Sequence, residues 1–219
     1  MKLTRTFLSL AAAGAALAAT GASAQVNGIA TSSPEAAIAR AAARTQAYST
    51  ISTTYATQIQ QIGTLRQQAR DLQLSLDTNG DGQLTQQEAA ANPGVQQQLA
   101  QLQQQIDTAG RPAQLAQIYV IEQIIQRYDE AQTQVVQQKG IQLMLSPEVF
   151  QYAPQGVDVT QDLVTAINAL VPTVNATPPA NYQPSRSAVE THQAVQQLLL
   201  MAAAQQQQQA AQQQQPSGR

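Results

Sequence analysis

The chain has 219 residues, of which 11% are charged and 4% aromatic, and its formal net charge is −2. That length suits one or two domains, and so small a charge excludes the basic footprint of a nucleic-acid binder. There is no cysteine, so an exported form must be held by packing or assembly rather than by disulfides.

The first residues read as a secretory signal peptide, 1–24. Lys2 and Arg5 supply the positive start, residues 7–19 an Ala/Leu-rich apolar stretch, and Ala22-Ser23-Ala24 a small-x-small cleavage site before Gln25. The apolar stretch is short for a membrane span, and no other run reaches eighteen apolar residues. Cleavage leaves nine basic and thirteen acidic residues, a net charge of −4.

Residues 25–31 (QVNGIAT) suit a short strand anchored by Val26 and Ile29. Ser33-Pro34-Glu35 then starts a helix, with a capping hydroxyl, proline at the first position and an acid in the first turn. Two helix-forming stretches of nearly equal length follow, 34–76 and 95–138, each about 65 Å long if fully helical. Equal lengths around one turn-rich segment predict an antiparallel helical hairpin. Gln, about a fifth of the chain, gives it uncharged polar faces that favour helix.

Tyr48, Ile51, Tyr55, Ile59, Ile62, Leu65, Ala69, Leu72 and Leu76 step by three or four, a narrow coiled-coil seam in which the tyrosines read as packing. The return runs through Val95, Leu99, Leu102 and Ile106, then from Leu115 to Val135. It widens near 119–125, where Val120 and Ile124 join the stripe, and this predicts the base of an arm. Gly110-Arg111-Pro112 predicts a kink or break, since proline removes a donor and crowds the preceding turn.

Lys139-Gly140 ends the helix. The alternation in 141–145, the turn at Ser146-Pro147-Glu148 and the alternation in 149–152 predict a β-hairpin. A helix follows over 161–170 with Leu163, Ile167 and Leu170 on one face and Thr160 as its cap. Residues 172–184 are proline-rich and read as an extended linker. Ser187-x-x-Glu190 predicts a capping box for a last helix that fades into Gln-rich low complexity over 205–214. His192, the sole histidine, reads as solvent-facing on that tail.

The divisions are therefore a signal peptide at 1–24, a body strand and first helix at 25–45, a hairpin arm at 46–138 with its tip loop at 77–94, body strands and helix at 139–172, and a Pro/Gln-rich tail at 173–219. The fold class is α+β, mostly α, with a partly disordered tail. An arm of that shape has more surface than core, so its work is contact rather than catalysis.

Gly140-Ile-Gln-Leu-Met-Leu, then Val149-Phe-Gln-Tyr, then Asp158-Val-Thr-x-Asp-Leu-Val, in the order strand, long helix, tip, long helix, strands, helix, resembles the Skp/OmpH-type periplasmic chaperones over roughly 25–172. The resemblance implies a trimer whose strands assemble a small β body, with three helical tentacles hanging from it. It also implies a periplasmic, ATP-independent holdase for unfolded outer-membrane proteins, and not an enzyme; no G-x-x-x-x-G-K-[ST] motif is present. The chain departs from the family's basic arms, with four arginines against eight acids between 46 and 138. A tail after Pro172 is a second departure, and the tip is a third.

Residues 77–88, DTNGDGQLTQQE, match the twelve-residue calcium loop D-x-[DN]-x-[DN]-G-x5-E. Asp77, Asn79 and Asp81 would give side-chain oxygens, Gln83 its backbone carbonyl, Thr85 a water-bridged contact and Glu88 both carboxylate oxygens, around a turn at Gly82. A metal-free alternative exists, because Asn79-Gly80 is a common turn and Thr85-x-x-Glu88 a capping box. The expectation is structural calcium at the arm tip. Two other functions fit the chain: a coiled-coil adaptor of the cell envelope, and a calcium-responsive binding module.

Overall fold

A computed structural model describes residues 28–77, 80 and 85–213. The signal peptide and Val26 lie outside the described residues, as do Asn79, Asp81 and Gln83 of the tip motif. The fold is mostly helical. In chain order it runs β1 (Ile29–Thr31), α1 (Pro34–Arg40), α2 (Ala42–Thr54), α3 (Ala56–Leu74), α4 (Gln86–Ala91), α5 (Pro93–Ile125), α6 (Tyr128–Lys139), β2 (Leu143–Leu145), α7 (Thr160–Leu170) and α8 (Arg186–Gln213).

Ser33 starts α1 as expected. Its hydroxyl accepts from the Ala36 N–H at 3.1 Å, and Pro34 occupies the first turn, where its missing N–H costs nothing. Gly140 stops α6 in the left-handed region, at φ 63°. There the Ile141 N–H reaches back to the Val136 carbonyl and the Gly140 N–H to that of Gln137, the paired bonds of a Schellman ending.

α2 and α3 form the outgoing limb of the arm and α5 the return. They are antiparallel: Tyr48 meets the Gln117 carbonyl near the base, and Ile62 lies against Gly110 further out. A Cβ at position 110 would sit 3.5 Å from Ile62, an ordinary van der Waals contact, so the limbs would hold this spacing with alanine there as well. At 33 residues, α5 alone is about 50 Å long.

Two details of the arm differ from expectation. α5 runs unbroken through Pro112, because that residue and Thr108, whose carbonyl loses its partner, both lie on the exposed face where water substitutes. The outgoing limb is instead interrupted at Tyr55 (φ −104°, ψ 21°). Past that point Gln58 takes the half-buried seam position and Ile59 turns out, 46% exposed. The seam recovers at Ile62 and Leu65.

The wide part of the return stripe is the base, as expected. Val120, Ile121 and Ile124 are wholly buried and share one core cluster with Ile38 of α1, Ile51 of α2, Leu163 and Ile167 of α7, and Val195 of α8. Alanines at 37, 39, 41, 43, 47, 116 and 131 fill the same cluster and let the helices approach closely.

The expected β-hairpin is not formed. β2 pairs in parallel with β1, Ile29 opposite Leu143 and Thr31 opposite Leu145. Residues 147–149 make a single 3-10 turn, and no strand forms over 149–152. Pro147 has no N–H to offer a ladder, and β1 competes for β2: the Gly28 carbonyl accepts from the N–H groups of both Gln142 and Leu143. Thr160 does not cap its own helix either. Its hydroxyl accepts from the Ser33 N–H at 3.0 Å and so ties α7 to the start of α1.

The largest correction concerns the tail. α8 is capped by Ser185, not Ser187: the Ser185 hydroxyl accepts from the Ala188 N–H. The helix continues through the Gln run to Gln213. It packs on α1 and α5, with Ala188, His192 and Val195 buried at a four-then-three spacing. The proline-rich stretch before it is extended but strapped down. Gln123 exchanges two hydrogen bonds with the backbone of Asn175, and Tyr182 stacks edge-on against Tyr119 and donates to Glu122.

Candidate functional site

The arm offers a long polar surface around a thin apolar seam. Among the described residues of its outer part, Leu65, Leu76 and Ile106 alone are buried. Its flanks are stitched by Gln–Asp pairs one turn apart, Gln67 to Asp71 and Gln103 to Asp107, each 2.8 Å. Such pairs hold a helix without presenting a field of one sign. Leu74 is 66% exposed, so apolar contact is available near the tip. This surface suits many weak, unspecific contacts rather than one tight ligand.

At the tip, three of the six motif residues are described. Asp77 accepts from the Gly80 N–H at 2.7 Å. Thr85 and Glu88 form the reciprocal capping box of α4: the Thr85 hydroxyl accepts from the Glu88 N–H, and the Glu88 carboxylate accepts from both the N–H and the hydroxyl of Thr85. Asn79, Asp81 and Gln83 lie outside the described residues, so the six are not seen together. Among the described residues, no group of three or more acids, histidines or cysteines is placed to hold a metal ion.

A polar cluster that the sequence did not reveal sits at the base. Arg44 is 8% exposed and donates to the Ala39 carbonyl at 3.0 Å, with its guanidinium 4.2 Å from the centre of the Tyr48 ring. The Tyr48 hydroxyl lies 3.5 Å from the Gln117 carbonyl and 3.3 Å from His192 Nδ1. Burial raises the Tyr48 phenol above its ordinary range, partly offset by Arg44. His192 is therefore a core residue at 6% exposure, not a solvent-facing one. Its spacing was the available signal: it falls on the apolar stripe between Ala188 and Val195.

Beside that cluster, Glu122 fastens the strap to α5. Burial pushes its carboxyl up, but donors from Ser185 and Tyr182 outweigh this and hold it below the usual range. The Tyr182 phenol is pushed far up by burial and by the adjacent Glu122. These groups close the strap; none is aimed at an open cleft with a nucleophile.

A family model described as Outer membrane protein (OmpH-like) matches residues 28–167. The chain belongs to the OmpH-like family. Comparison with curated proteins and with solved structures finds no match. The OmpH-like family is one of periplasmic chaperones of outer-membrane proteins and not of enzymes. The OmpH-like match covers β1 through most of α7, so the strap and α8 fall beyond it. No helix among the described residues is long and apolar enough to cross a membrane.

Proposed function

We propose that this protein is an ATP-independent periplasmic holdase, a homotrimer whose arms enclose unfolded outer-membrane proteins. The observation that carries this reading is an unfinished base. Among the described residues, the sheet has two strands of three residues, too little to stand alone. Around it Ile29, Leu143, Val149 and Tyr152 are 36%, 49%, 64% and 83% exposed. The far edge of β1 is engaged at Thr31 by the Val159 N–H, which leaves the outer edge of β2, beside apolar side chains, to invite strands from further copies, and joining bases would gather three arms around one cavity. Many weak arm contacts then sum through effective concentration. A client so held stays unfolded but separate.

The direct test is light scattering from an unfolded outer-membrane β-barrel diluted out of denaturant. The mature protein at molar excess is expected to suppress the rise in scattering without ATP. An unchanged rise would reject the holdase reading.

We further propose that the 77–88 loop takes one calcium ion as a structural stiffener of the tip. The composition and spacing of Asp77, Asn79, Asp81, Gln83, Thr85 and Glu88 support it. Glu88 would have to share its carboxylate between Thr85 and the ion. A lone loop in an exported protein is expected to bind at roughly 10⁻⁴–10⁻³ M. Calorimetric titration should give that binding for the native chain and lose it in Asp77→Ala. Equal heats from the two proteins would leave the tip as a plain capped turn.

A further inference from the structure

The Arg44–Tyr48–His192 cluster lies where α8 meets the base of the arm. Two of its members can be cations, and both are more than nine-tenths buried. Among the described residues, no carboxylate is hydrogen-bonded or ion-paired to either of them.

The groups on the surrounding elements are otherwise engaged. On α1, Glu35 accepts from the Ser33 hydroxyl, and Arg40 is exposed. On α5, Glu122 is taken by Tyr182 and Ser185, while Tyr119 stacks on Tyr182. On α8 itself, Glu190 pairs with Arg186 at the surface. α2 contributes Arg44 and the Tyr48 hydroxyl. A proton on His192 would thus place a second positive charge next to Arg44, inside the body, with no counter-charge.

We propose that α8 is a proton-sensitive latch, docked on the base of the arm while His192 is neutral and driven off it when His192 takes a proton. Undocking exposes the buried Ala188 and Val195 and uncovers the faces of α1 and α5 beneath them. It also returns the imidazole to water, away from Arg44. The latch is thus a device of the segment beyond the family match, acting on the shared arm base.

The sign follows from the environment. Burial, with Arg44 adding to it, holds the docked imidazole below the ordinary 6.5. The undocked helix then binds the proton more tightly. Docking is at full strength above about pH 6.5 and weakens as pH falls, by up to about tenfold per pH unit, until the docked value is passed.

Because the chain has a single histidine, its imidazole signal in a proton spectrum of the full protein is unambiguous. It should titrate below the value of a free histidine. In parallel, amide exchange of 187–198 should lose about tenfold or more protection between pH 7.5 and 5, after correction for the intrinsic rate, while α5 to α7 keep theirs. His192→Gln should abolish that pH dependence, and Arg44→Met should shrink it. An imidazole titrating at or above the free value would overturn the latch, whether or not His192→Gln docks. So would protection in the native chain that is the same at both pH values, or a pH loss that survives in His192→Gln.

Discussion

Ile121→Asp is expected to unfold the body at room temperature, while Ile59→Asp, the same change on the same arm, leaves it folded. Ile121 is wholly buried where α5 meets α1, α2 and α8, among apolar side chains that offer an ionised carboxylate nothing. Burying an unpaired charge there, together with the lost packing, costs about 4 kcal/mol or more, a large share of a small domain's stability. Ile59 is 46% exposed because the irregularity at Tyr55 rotates it off the seam. An aspartate there costs within about 1 kcal/mol. Urea unfolding followed by circular dichroism distinguishes the two. Equal midpoints would mean that the arm, not the base, holds the structure together.

Deleting residues 185–219 is expected to destabilise the remaining chain by at least about 3 kcal/mol, rather than trim a dispensable tail. Val195 and Ala188 are wholly buried and belong to the core or line it, and burying a valine alone contributes about 1.5–3 kcal/mol. The deletion also strips cover from α1 and α5 and takes away the Ser185 donors to Glu122. A chain shortened to end at 203 loses, among the described side chains of α8, only exposed ones and should melt like the native chain. If both deletions melt alike, α8 contributes nothing to the base.

The legible parts of the fold were those with local causes. Ser33-Pro34 and Gly140 mark helix ends because each satisfies orphan backbone groups within its own turn. The steps of three and four along the arm, and the broad stripe at 119–125, follow from helical geometry and held up in the packing except at Ile59. The family itself was readable from the strand, Asp158-Val-Thr and Asp162-Leu-Val stretches.

What the sequence misled on depended on a distant partner. The alternation in 141–145 is real, but its mate is β1, more than a hundred residues earlier, instead of 149–152. Thr160 has the chemistry of a cap yet serves α1. Pro112 should break a helix, and its exposed position removes most of the cost. The tail looked solvated because Gln dominates its composition, while three residues at helical spacing, Ala188, His192 and Val195, decide where it goes. Of the tip motif, the capping box of Thr85 and Glu88 was legible, and those two residues form it.

The central claim is that a long paired arm works from a base completed by other copies of the same chain. Mass in solution, measured by light scattering on a sizing column, tests it most directly. The expected particle has three chains and is extended enough to elute ahead of a globular protein of equal mass. A single chain at working concentration, with Ile29, Leu143 and Tyr152 left open to water, would contradict it.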